Sequence, residues 1–132
     1  MRKVPNLSIS PEKVFFIIAK SRQSDSNANE PDLAADLDDD MLEDHRNRTD
    51  RSELSGFIRG LNVDEQIDLV ALMWLGRGDG NLDNWRDLHA EASRAHNNRT
   101  ASYLIGTPML ADYLEEALTQ FGKSFEDFEG HL

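Results

Sequence analysis

The sequence predicts an all-α fold: a compact bundle of four or five helices around a central buried helix at about residues 63–75. Three observations carry this expectation. From Ile67 to Leu75 only Asp68 is polar, so the segment is apolar on every side of a helical wheel and must be covered on every side. Flanking segments repeat apolar residues at helical spacing, for example Leu54, Phe57, Ile58 and Leu61. Nowhere does the chain alternate apolar and polar residues as a strand would, and it has no internal repeat.

The first element starts at Ser10-Pro11-Glu12, with serine as cap, proline at the first helical position and an acid beside it. Val14, Phe15, Ile17 and Ile18 give it an apolar stripe of about three turns, and the polar run Ser21–Asn29 is expected to end it. Acidic, aromatic-free sequence follows to about Arg48 and reads as a flexible solvated linker. Its Asp38-Asp39-Asp40 run has no ligands converging on it from fixed positions, so no metal cage is expected.

The second helix is expected from Asp50, with Glu53 completing a capping box. A tight connection at Gly60–Asn62 then leads to the central helix, where Asn62 and Glu65 form another such box. Gly76 is the expected left-handed cap, with Gly78 and Gly80 preventing a quick restart. A helix over about Asn84–Asn97 gathers Trp85, Leu88, His89, Ala92, Ala95 and His96 on one face, and Arg99 and Tyr103 join them if it continues. The last helix starts at Thr107-Pro108, buries Leu110, Leu114, Leu118 and Phe121, and closes at Gly122. The expected organisation is thus an N-terminal helix in 1–22, an acidic linker in 23–48, a helical core in 49–122 and an acidic tail in 123–132.

At 132 residues the chain is one domain's worth. It has no cysteine, which excludes disulfides and thiolate metal sites and suits a reducing cytoplasm. The apolar run Leu69–Leu75 is too short to span a bilayer, and Pro5, Pro11, Glu12 and Lys13 interrupt any signal-peptide core, so neither membrane insertion nor secretion is expected. The net charge is −11, and residues 25–53 alone hold eleven acids against three arginines. Such a surface repels phosphate backbones and disfavours direct nucleic-acid binding, while a protein partner or a homo-oligomer stays open.

Several short motifs fail on their chemistry. Arg77-Gly78-Asp79 spells an adhesion tripeptide that requires an extracellular setting. Aligning Gly80 with the glycine of a calcium loop puts Leu75, Arg77 and Arg86 where ligands belong. The Asp83, Asp87, Glu91 ladder is flanked by Arg86 and Arg94 and reads as a salt-bridged face. No metal or cofactor is therefore expected, and no catalytic set is recognisable. One constellation remains: His89, His96 and Arg99 on the inward stripe, with Asp68 as the lone acid of the apolar helix and Asp79 in the glycine loop. Buried imidazoles and cations need partners, and Asp68 is an available carboxylate.

The stretches Asp64–Gly80 (DEQIDLVALMWLGRGDG), Ser93–Leu118 (SRAHNNRTASYLIGTPMLADYLEEAL) and Leu7–Lys20 (LSISPEKVFFIIAK) resemble an uncharacterised family of small acidic bacterial proteins, a domain of unknown function (family 3775). The resemblance implies a bacterial, cytoplasmic origin and brings no assigned activity. The leading expectation is a non-enzymatic helical interaction or regulatory protein. The alternative is a small enzyme or ligand-binding protein with a polar pocket of His96, Arg99, Asp68 and Asp79.

Overall fold

Six α-helices and no strand make up residues 6–29 and 51–122, the part of the chain described by the computed structural model. They are α1 (Pro11–Asn29), α2 (51–59), α3 (Val63–Arg77), α4 (Trp85–Ala95), α5 (Thr100–Ile105) and α6 (Leu110–Gln120), with a 3₁₀ turn at Leu82–Asn84 before α4. The expected all-α bundle around a central helix is what the chain forms. α3 packs on α4, α5 and α6, and α1 lies across α6. Most of the expected 23–48 linker, the Asp50 cap and the 123–132 tail fall outside the described residues.

The central helix is buried as its letters require. Leu69, Ala71, Leu72 and Met73 are fully buried, and Asp68 is buried among them. The Asn62 capping box is present in both directions: the Glu65 N–H donates to Asn62 Oδ1 at 2.8 Å, and the Asn62 N–H donates to Glu65 Oε1 at 3.1 Å. Four boundaries differ from the sequence expectation. The left-handed cap is Gly78 (φ 98°), not Gly76, which stays inside the helix. α1 runs on through Asn29, since its polar second half holds no proline or glycine to stop it. α4 ends at Ala95 because His96 is extended (φ −63°, ψ 133°), so the stripe does not continue through Arg99. α6 begins at Leu110, two residues after Pro108, because Met109 takes a left-handed conformation (φ 63°).

α1 is fastened to the bundle at several points. Phe16 meets Phe57 of α2 with ring centroids 4.6 Å apart. Lys20 Nζ pairs with Glu53 at 2.8 Å, and Arg22 reaches Asp112 at 3.2 Å and also Glu115 on α6. Glu53 therefore binds across helices. Such exposed pairs contribute about 0–1 kcal/mol each.

The Lys13–Glu65 pair is different, because Glu65 is buried. Lys13 Nζ lies 2.7 Å from Glu65 Oε2. That hydrogen bond first, then the Asn62 N–H and the lysine charge, hold the Glu65 carboxyl below its usual 4.5 against the opposing effect of burial. A depressed carboxyl contributes stability above its unfolded value and loses it as pH falls through the folded one. Glu65→Gln is therefore expected to be less stable than wild type at neutral pH, with the gap narrowing as pH drops below 4.5. Urea denaturation at neutral pH and near pH 3 measures both gaps, and equal gaps would contradict the assignment.

Candidate functional site

Asp68 is the polar residue that packing alone does not explain, and its partners account for it. It lies in the middle of α3 with 2% of its surface exposed. Its Oδ2 accepts the main-chain N–H of Ser8 at 2.5 Å and of Ile9 at 3.1 Å. Its Oδ1 lies 2.9 Å from His89 Nε2 of α4. Three donors thus converge on one carboxylate, two of them from the segment just before α1. The acid joins three parts of the chain that sequence order keeps apart. An open hollow of about 460 Å³ lies over this clasp, bordered by Ser8, Trp85, Arg86 and His89.

His96 is placed elsewhere. Its Nε2 lies 2.7 Å from Gln66 Oε1. The Gln66 amide nitrogen donates to Ile58 O at 2.9 Å and Leu61 O at 3.3 Å, main-chain carbonyls at the end of α2 and in the turn after it. Those two bonds fix the amide, so Oε1 is the acceptor and His96 carries its proton on Nε2. The pair ties α2, α3 and the end of α4 together.

Between α3, α4 and α5 lies a narrower cavity of about 240 Å³. Val70 and Ala92 form a buried apolar floor, and Trp74, His96, Arg99 and Tyr103 stand around it. Trp74 Nε1 donates to the Tyr103 hydroxyl at 2.9 Å. Asn97 and Thr100, also on the rim, are bound to each other: the Asn97 N–H donates to Thr100 Oγ1 at 3.1 Å and Thr100 Oγ1 donates to Asn97 O at 2.9 Å. The Arg99 main-chain N–H goes to Asn97 Oδ1 at 2.7 Å, while its guanidinium has no hydrogen-bond or ion-pair partner among the described residues. The Arg77 guanidinium is held above its usual range by its hydrogen bonds to Asp79 first, with burial opposing and Tyr103 adding to the rise.

The five residues singled out from sequence fall into three places. Asp68 and His89 meet. His96 and Arg99 share the second cavity, and neither bonds Asp68. Asp79 is occupied by Arg77, which donates through Nε at 3.0 Å and Nη2 at 2.5 Å across the turn. A single pocket of His96, Arg99, Asp68 and Asp79 is therefore not formed. The acidic ladder also divides, since Asp83 lies in the 3₁₀ turn and Glu91 pairs with Arg94 at 2.5 Å. Among the described residues, no three His, Asp or Glu side chains gather to hold a metal ion. Trp74 and Tyr103 were not site candidates from sequence. Each is an aromatic with a polar tip, the combination that favours partly exposed positions.

Residues 51–123 match the family described as a protein of unknown function (DUF3775). No curated protein matches the chain, and no solved structure does. The matched span contains Asp68, His89 and the whole second cavity, whereas Ser8, Ile9 and α1 precede it.

Proposed function

The chain belongs to the DUF3775 family of proteins of unknown function, and on that premise we propose that it is a non-enzymatic helical binding protein with an interaction or regulatory role. The observation that carries this reading is the cavity between α3, α4 and α5. Its apolar floor is rimmed by polar groups, among them the exposed Arg99, whose guanidinium has no partner among the described residues. Small-molecule sites have this construction, an apolar cleft with a few polar groups that fix orientation. Asp68, by contrast, is spent on the chain itself, with two main-chain donors and an imidazole on its two oxygens. The cytoplasm of a bacterium is the setting we propose, supported by the absence of cysteine. No helix among the described residues is long and apolar enough to cross a membrane.

Native purification from the source cell, with light scattering and mass spectrometry of co-eluting proteins and small molecules, tests the reading. A stoichiometric co-eluting species is expected, and Trp74→Ala combined with Arg99→Gln should release it. A lone monomer carrying nothing would overturn the reading, as would a bound species that the double variant retains.

A further inference from the structure

We infer that the cavity between α3, α4 and α5 binds a small planar monocarboxylic acid, with its apolar ring on Val70, Ala92 and Trp74 and its carboxylate at Arg99 and Tyr103. The inference rests on the binding-protein reading and names the ligand class of that site.

Counting which polar groups remain unspent leads to this class. Thr100 is spent on the Asn97 main chain and His96 gives its Nε2 proton to Gln66, so neither adds a donor, whereas the Asn97 side-chain NH₂ keeps its donors after Oδ1 has accepted from the Arg99 main chain. The Tyr103 hydroxyl accepts from Trp74 Nε1, and its own proton is left to donate. Arg99 supplies a guanidinium without a partner among the described residues, and its planar fork matches a carboxylate. The cavity therefore presents the Arg99 fork, the Tyr103 hydroxyl and the Asn97 amide beside an apolar floor.

The charge and size of the ligand follow. A phosphate dianion would bring a second negative charge into the field of a chain whose net charge is −11. A monoanion needs only the Arg99 fork and one hydroxyl. About 240 Å³ is less than the usual range for drug-sized ligands and suits one ring, or a fused pair, with a short acid arm. Aromatic rings stack on Trp74, adding attraction beyond the area they bury.

The test is calorimetric titration and ligand-detected NMR with phenylacetate and indole-3-acetate, each compared with its neutral amide. Saturable binding of at least one acid at a single site is expected, with its amide about tenfold weaker or worse. Arg99→Gln should weaken the acid about tenfold and leave the amide unchanged, with an unaltered thermal melt to show that the fold is intact. The assignment falls if neither acid saturates by about 10 mM, if acid and amide bind alike, or if Arg99→Gln binds the acid as wild type does. If the acids fail while Trp74→Ala with Arg99→Gln still releases a co-eluting species, the carboxylate assignment falls and the binding-protein reading stands. If an acid binds as described while native purification yields a lone monomer, the ligand class holds and the reading of a stably held partner falls.

Discussion

Gly76→Ala is expected to be among the most destabilising single substitutions in the bundle, although alanine is the better helix former. A Cβ at residue 76 would lie 1.7 Å from the carbonyl oxygen of Tyr113, 2.5 Å from its carbonyl carbon and 2.8 Å from its Cα. All three atoms are α6 backbone, so no side chain can swing aside. α3 and α6 would have to separate, and α6 contributes the fully buried Leu114, Ala117 and Leu118. Overpacking a core costs about 1–3 kcal/mol and sometimes more, and here the obstruction is main chain on both sides. The intrinsic preference of a helix for alanine returns only about 1 kcal/mol. A net loss of about 2 kcal/mol or more is expected, read as a fall of at least about 6 °C in Tm. Gly56→Ala is the control. It lies in α2 with nothing within 4 Å of the added methyl, so the same chemical change should stabilise by about 0.5–1 kcal/mol. Equal melting temperatures for Gly76→Ala and wild type would mean that α3 and α6 do not approach as closely as this.

The contrast between these glycines shows where the sequence is legible. The burial of α3 can be read from its letters, because seven apolar residues in succession leave a helix no face for water. Its Asn62 box can be read as well, since capping is chemistry within four residues. Whether Gly76 or Gly78 ends the helix cannot be read, because both glycines can adopt a positive φ and tertiary contact decides which does. At residue 76 the Tyr113 carbonyl occupies the space of a side chain, which requires glycine without requiring the helix to stop. The candidate site divides in the same way. That Asp68 needs partners is legible, because a lone acid in an apolar helix cannot be buried unpaired. Which partners it takes is not. His89 and His96 share a face only if the helix persists, and it breaks at His96. The other two partners are the main-chain N–H groups of Ser8 and Ile9, and a peptide N–H carries no signature in the letters.

Those two N–H groups make Asp68→Ala the other substitution with a large expected effect. Removing the carboxylate strands the buried Ile9 N–H and takes the acceptor from the Ser8 N–H and from the half-exposed His89. Leaving a buried donor unsatisfied costs about 1–3 kcal/mol, a sizeable share of the 5–15 kcal/mol of a typical domain. Asp68→Asn should fall between alanine and wild type: its Oδ1 can still accept from the N-terminal segment, while its NH₂ can donate to a His89 that has moved its proton to Nδ1. Thermal and urea unfolding give the order wild type, Asn, Ala. Amide exchange gives the location, with Ser8 and Ile9 losing protection before the centre of α3 does. A double-mutant cycle with His89→Ala should show coupling of about 1 kcal/mol or more, since both side chains act on one carboxylate. An alanine variant within about 1 kcal/mol of wild type, or one with Ser8 and Ile9 exchange unchanged, would remove the clasp from the account. The clasp also crosses a boundary, because Asp68 and His89 lie within the family-matched span and Ser8 and Ile9 precede it. The acid in the centre of the buried helix therefore holds on the stretch of chain that the matched domain does not itself include.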